Sequence, residues 1–185
     1  QARLPLANLA LPALRRLGTD EFLRFSTLMN RLIESDHKIN LFEFMLQKAV
    51  KLHLAPQFGH TRRTVVRYYS IEPLLEDCSI LLSALAQVGS SEPAEQERAF
   101  QAGAPYLRSP SKPPELHPSE SCGLAEIEDA LERLALAAPQ IKKNLLEACV
   151  QVISADGEVR EAEAELFRAI GDSVDCPIPP YVTIE

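Results

Sequence analysis

Apolar residues recur at helical spacing through nearly every patterned stretch of this chain, and no stretch alternates with the period of two that a half-buried strand requires. Residues 19–35 carry Phe22, Phe25, Leu28, Met29, Leu32 and Ile33 at intervals of three and four, one stripe along a helix. A third long helix is expected from Ser70, with Leu74, Leu75, Cys78, Leu81, Leu82 and Leu85 on one face. Residues 124–138 place Leu124, Ile127, Leu131 and Leu134 on another. The pattern predicts an all-α architecture.

Punctuation residues set the expected boundaries. Thr19 is placed to cap the first helix, with Asp20 and Glu21 at the positive end of its dipole. The turn Asp36-His37-Lys38 leads to a second helix from about Asn40 to His53. Pro56 and Gly59 break the pattern, and the basic stretch 60–69 reads as extended. Ser70 can cap the third helix, with Pro73 in its first turn and Gly89 just past its end. A shorter helix runs from about Pro93 to Ala102, stopped by Gly103. Pro105, Pro110, Pro113, Pro114 and Pro118 mark residues 104–121 as a linker. Pro139 opens a helix that reaches about Ala155, Asp156-Gly157 forms a turn, and a last helix covers about Arg160 to Ser173.

Composition narrows the class. With 185 residues and 46% hydrophobic content the chain can bury a core without a staple and is too apolar for wholesale disorder. Its four cysteines, Cys78, Cys122, Cys149 and Cys176, form no C-x-x-C pair, so a disulfide scaffold and structural zinc are not indicated. A reducing compartment is the simplest reading. The net charge of −7 divides unevenly: residues 1–70 hold 11 Lys/Arg against 5 Asp/Glu, and residues 71–185 hold 8 against 21. That balance argues against a general nucleic-acid binder. No apolar run reaches the roughly 20 residues that span a bilayer, and Gln1 reads as a cut from a longer chain.

The sequence also repeats itself at an offset of 120 residues. Ile33 matches Ile153, Asp36 matches Asp156, Glu43 matches Glu163, Leu46 matches Leu166 and Ala49 matches Ala169. That is five identities over residues 25–50, where ordinary residue frequencies give about two. Each copy reads as helix, tight turn and helix. The Asp is placed to accept backbone N–H groups at the start of the second helix, the apolar residue three later (Ile39, Val159) to tuck the turn onto the core, and the Glu to lie one turn further on. Two such hairpins, residues 20–53 and a unit at 124–175, would bury their stripes against each other by pseudo-symmetry, with middle helices in 70–103.

The stretch Ala155-Asp156-Gly157-Glu158-Val159-Arg160-Glu161-Ala162-Glu163 resembles the signature of the TerB-like (tellurite-resistance, DjlA-like) helical domain. The first copy departs from it, with Ser35 for alanine and His37 for glycine. A fuller likeness covers most of residues 11–180 apart from the proline-rich stretch. Leu41-Phe42-Glu43-Phe44-Met45-Leu46-Gln47 with His53-Leu54, and Phe167-Arg168-Ala169-Ile170 with Asp175-Cys176-Pro177-Ile178-Pro179-Pro180, look like the C-terminal region of HtpX-like membrane-anchored zinc metallopeptidases. The resemblance implies a single TerB-like bundle of about seven helices over residues 1–185. It also implies a location at the cytoplasmic face of a bacterial inner membrane, as part of an anchored parent. Zinc is then expected in the parent's catalytic domain, and no cofactor in this chain.

Catalysis within the chain finds no motif. His37, His53, His60 and His117 are followed by Lys, Leu, Thr and Pro, so no H-E-x-x-H exists. Cys122 and His117 share the proline-rich stretch, which we read as chance proximity. Asp36, Glu43, Asp156 and Glu163 are the candidate ligands for a calcium-type cation, but one Asp and one Glu per site is few against six or more oxygens. With Gly157 they are read first as turn-setting residues. The expected partners are other domains of the parent or a protein ligand. The basic stretch 48–67, including Lys48, Lys51, Arg62, Arg63 and Arg67, is placed to meet anionic lipid, although a solvated loop is the plainer reading.

Overall fold

The computed structural model describes residues 12–14, 16–35, 44, 48, 54 and 65–178. The chain groups into two compact units, Gln1–Arg63 and Thr64–Glu185. The described residues are mostly helical and form no strand, as the periodicity predicts.

In the first unit, α1 spans Thr19–Ser35. Its start lies one residue earlier than expected. The Gly18 carbonyl accepts the first helical bond, from Phe22 N–H at 2.9 Å, so Gly18 rather than Thr19 is the cap. Glycine has no side chain to offer, and Glu21 reaches back instead, its carboxylate accepting the Gly18 N–H at 2.8 Å. The expected buried stripe holds only in part. Phe22 and Phe25 are half-buried, whereas Leu28 is 63% exposed. Phe44, Lys48 and Leu54 are helical, with the Lys48 ammonium 6.0 Å from the Phe44 ring centroid one turn away. The side chains of Met29, Leu32 and Ile33, the turn at Asp36 and the remainder of the expected second helix, Glu43 included, lie outside the described residues.

The second unit is built around α2, Leu75–Gly89, which packs on α3 (Pro93–Gly103), α4 (Leu124–Ala135), α5 (Pro139–Ile153) and α6 (Glu161–Ser173). Such a central helix must be apolar on most sides. Leu75, Cys78, Leu81, Leu82, Leu85 and Ala86 are all buried, and Ser79 and Ser83 satisfy their hydroxyls on the carbonyls of Leu75 and Ser79. Leu131, Leu134, Leu145, Ile153 and Ile170 close the core from α4, α5 and α6. Ser70 does not cap α2. Its hydroxyl bonds the Glu72 carboxylate, and a 3-10 turn at Glu72–Leu74 leads into the helix, with Gly89 its last residue.

The extended reading near residue 69 is met by a single parallel bridge. Arg67 N–H donates to Leu136 O at 2.8 Å and Ala138 N–H to Tyr68 O at 2.8 Å. Arg133 fastens the same corner. Its guanidinium pairs with Asp77 at 2.9 Å, donates to Pro73 O at 2.5 Å and lies 5.5 Å from the Tyr68 ring centroid. Burial, the larger effect, pushes the Asp77 carboxyl up, and the Arg133 hydrogen bond draws it down. At the far end Asp175 adopts φ 59 and pairs with the nearly buried Lys142 at 3.7 Å.

The proline-rich stretch is not a spacer. It begins as a 3-10 turn, Ala104–Leu107, whose Leu107 is fully buried against α5. It then crosses α2 as a strap and closes with a 3-10 turn at Ser119–Ser121. Prolines deny the strap its own ladder of backbone bonds. Side chains of α2 supply them instead: His117 N–H donates to Ser83 Oγ and Gln87 Nε2 donates to His117 O, both at 2.9 Å.

Candidate functional site

The turn between α5 and α6 carries the second copy of the repeated motif. The chain leaves α5 at Ser154, and Gly157 N–H returns to Ser154 O at 3.1 Å. Gly157 has φ +81, and no heavy atom lies within 4 Å of where a Cβ would stand. Backbone conformation alone selects glycine there. Asp156 Oδ1 accepts Glu158 N–H at 3.0 Å. The Asp therefore bonds within the turn, an Asx-type closure, and not at the helix start as expected.

Glu163 serves the helix start. It is the third residue of α6, and its Oε2 accepts Arg160 N–H at 2.7 Å. It thus reaches back to the capping residue rather than lying a turn further on. Arg160 has no acceptor with which to reciprocate, so half of a capping box is formed. Its guanidinium turns to the two carboxylates instead, with Nη1 3.0 Å from Asp156 and 3.8 Å from Glu163. Val159, expected to tuck inward, is 40% exposed. The inward anchor is Glu163, only 4% exposed. Its carboxylate abuts Gly89 of α2, where any Cβ would collide with it.

The two carboxylates titrate in opposite senses. The Glu158 N–H, followed by the smaller attraction of Arg160, holds Asp156 below the ordinary carboxylate value. Burial pushes Glu163 up against the opposing pull of the Arg160 N–H and guanidinium. Beside them opens a cavity of about 70 Å³, floored by Ala86, Ala99 and Val152 and rimmed by Glu95, Arg98 and Arg160. That is well below the roughly 300 Å³ of small-molecule sites, and with both signs of charge at its rim it selects no ligand by charge. It has room for one side chain or a few waters.

Among the described residues no group of three or more His, Cys, Asp or Glu is arranged to hold a metal. The other two candidates, Asp36 and Glu43, lie outside the described residues. Of the basic stretch only Lys48 and Arg67 are described. Also among the described residues, no helix is long and apolar enough to cross a membrane.

The structure brings together a cluster that sequence spacing did not assemble. His117 and Cys122 flank the same face of α2. The Cys122 thiol is within hydrogen-bond reach of Gln87 and Ser83, whose side chains also hold the His117 backbone. Burial pushes the Cys122 thiol up, which is the wrong direction for a nucleophile. Cys78 and Cys149, fully buried, are pushed up as well, Cys149 to about 12. The sequence signal for this cluster was faint: Ser83 and Gln87, one turn apart on the strap side of an otherwise apolar helix.

No protein-family model matches the chain, and no curated protein and no solved structure matches it.

Proposed function

We propose that this chain is a non-catalytic accessory module that works by protein interaction or regulation, as the C-terminal part of an HtpX-like membrane-anchored zinc metallopeptidase. The link to a peptidase rests on the resemblance of the hairpin and tail sequences. The turn-setting reading of the motif carboxylates, over a cation-binding one, is supported by one observation: Arg160 sits against both of them, at 3.0 and 3.8 Å. Asp156, Gly157 and Glu163 are each committed to shaping the turn, and the guanidinium takes the place that a bound cation would need.

Three measurements test the reading. The longer reading frame should encode membrane helices and an H-E-x-x-H upstream of this chain, and deleting the chain from that parent should alter proteolysis or partner capture. A frame without that motif removes the peptidase link. Calorimetry of the chain with calcium, magnesium and zinc should show no saturable binding. A saturable calcium isotherm lost in Asp156→Asn would favour a cation-sensing TerB-like module instead.

A further inference from the structure

Among the described residues the strap over α2 carries two buried side-chain atoms without a hydrogen-bond partner, Ser109 Oγ and His117 Nε2, and only the second faces a charged group. His117 Nε2 is shielded from solvent and makes no hydrogen bond, yet it lies 3.3 Å from Glu76 Oε1. The separation is that of an ion pair, while the alignment is not that of a hydrogen bond. A neutral imidazole gains little from such a contact. A protonated one gains Coulombic attraction whatever the angle.

We propose that His117 and Glu76 form a latch, tightened by acid, that controls how firmly the strap 108–121 is held on α2. The surroundings favour this polarity. On α2 the facing carboxylate is Glu76, since the neighbouring Asp77 is committed to Arg133. In the first turn of α4, Glu126 adds negative charge beside Cys122. On the strap, Glu115 pairs with Lys112 at 3.3 Å, and Glu120 stands exposed. Ser83 and Gln87 hold the histidine backbone at every pH. Charging the ring therefore adds a bond to a strap already in place. Only a protonated ring carries the charge that this contact rewards, so the latch tightens as pH falls. The segment it governs covers the Ser83–Gln87 face of α2, next to the half-buried Cys122, and that face is what a loosened strap uncovers.

Amide hydrogen exchange on the full chain reads the latch directly, with rates at pH 5.5 and 7.5 corrected for the intrinsic pH dependence. The reporters are the amides of His117, Ser121 and Cys122, bonded to Ser83 Oγ, Pro118 O and Ser119 O. Their protection should be about two- to fivefold greater at pH 5.5, the range that an exposed ion pair supplies. Glu76→Gln, at a site 66% exposed, should fold normally and abolish the ratio, as should His117→Gln. Equal protection at the two pH values, or a ratio that persists in Glu76→Gln, overturns the latch.

Discussion

Gly157 and Glu163 hold the α5–α6 turn by different means, and substitution separates them. At φ +81 the backbone of Gly157 is in the region an L side chain resists, so Gly157→Ala should lose about 1–2 kcal/mol in urea unfolding although the site is sterically open. For Glu163, removing the acceptor and removing the charge have different effects. Glu163→Ala orphans the Arg160 N–H and should lose about 1–2 kcal/mol. Glu163→Gln keeps an acceptor and discards a desolvated charge, so at pH 7 it should fall within about 0.5 kcal/mol of the parent chain. The sign of the pH effect follows from the folded carboxyl being raised above its ordinary value of 4.5. Its stabilising contribution is complete below that value and lost as pH rises through the folded pKa. The Gln variant should lack that decline. The motif was legible as a turn because Asp-Gly is a strong turn signal. The division of labour within it was not. Spacing alone cannot say that Asp156 closes the loop while Glu163 reaches back to the helix, because both bonds depend on where the helix begins.

Arg133 ties together α4, the 3-10 turn ahead of α2 and the bridged segment at Tyr68. Arg133→Ala should cost about 1–2 kcal/mol, because Asp77, only 8% exposed, would lose its cation. Thermal melts of Arg133→Ala and of Asp77→Asn/Arg133→Ala check this. The double variant should recover part of the loss, since no buried charge is stranded. At this scale the sequence was readable to within a few residues. The limits of α3, α5 and α6 follow the proline, glycine and apolar spacing, because those signals are local. The strap was misread for the same reason. Five prolines correctly exclude a helix, but whether an irregular segment floats or docks depends on partners elsewhere. Here they are two polar side chains on α2, 30 and 34 residues away in sequence.

For the molecule as a whole, the core of residues 64–185 is closed by its own helices, with α2 at the centre. A fragment of those residues should therefore unfold in one cooperative transition whose midpoint is the same by circular dichroism and by fluorescence of its tyrosines. Non-coincident transitions would show that these residues do not form a single cooperative core. An all-α class was legible from periodicity, as the helical structure bears out. The proposed symmetry between hairpins was not open to the same reading, because a repeat of sequence specifies similar elements and not their mutual packing.

The abutment of the Glu163 carboxylate on Gly89 links two positions 74 residues apart in sequence. Position 163 can change alone, but a methyl group at 89 would push the carboxylate aside and loosen the backbone acceptor at the start of α6. Among divergent copies of this chain the constraint should therefore run one way, from 163 to 89. Position 89 should stay glycine wherever 163 is a long acid, and be released to alanine or serine only where 163 has shortened.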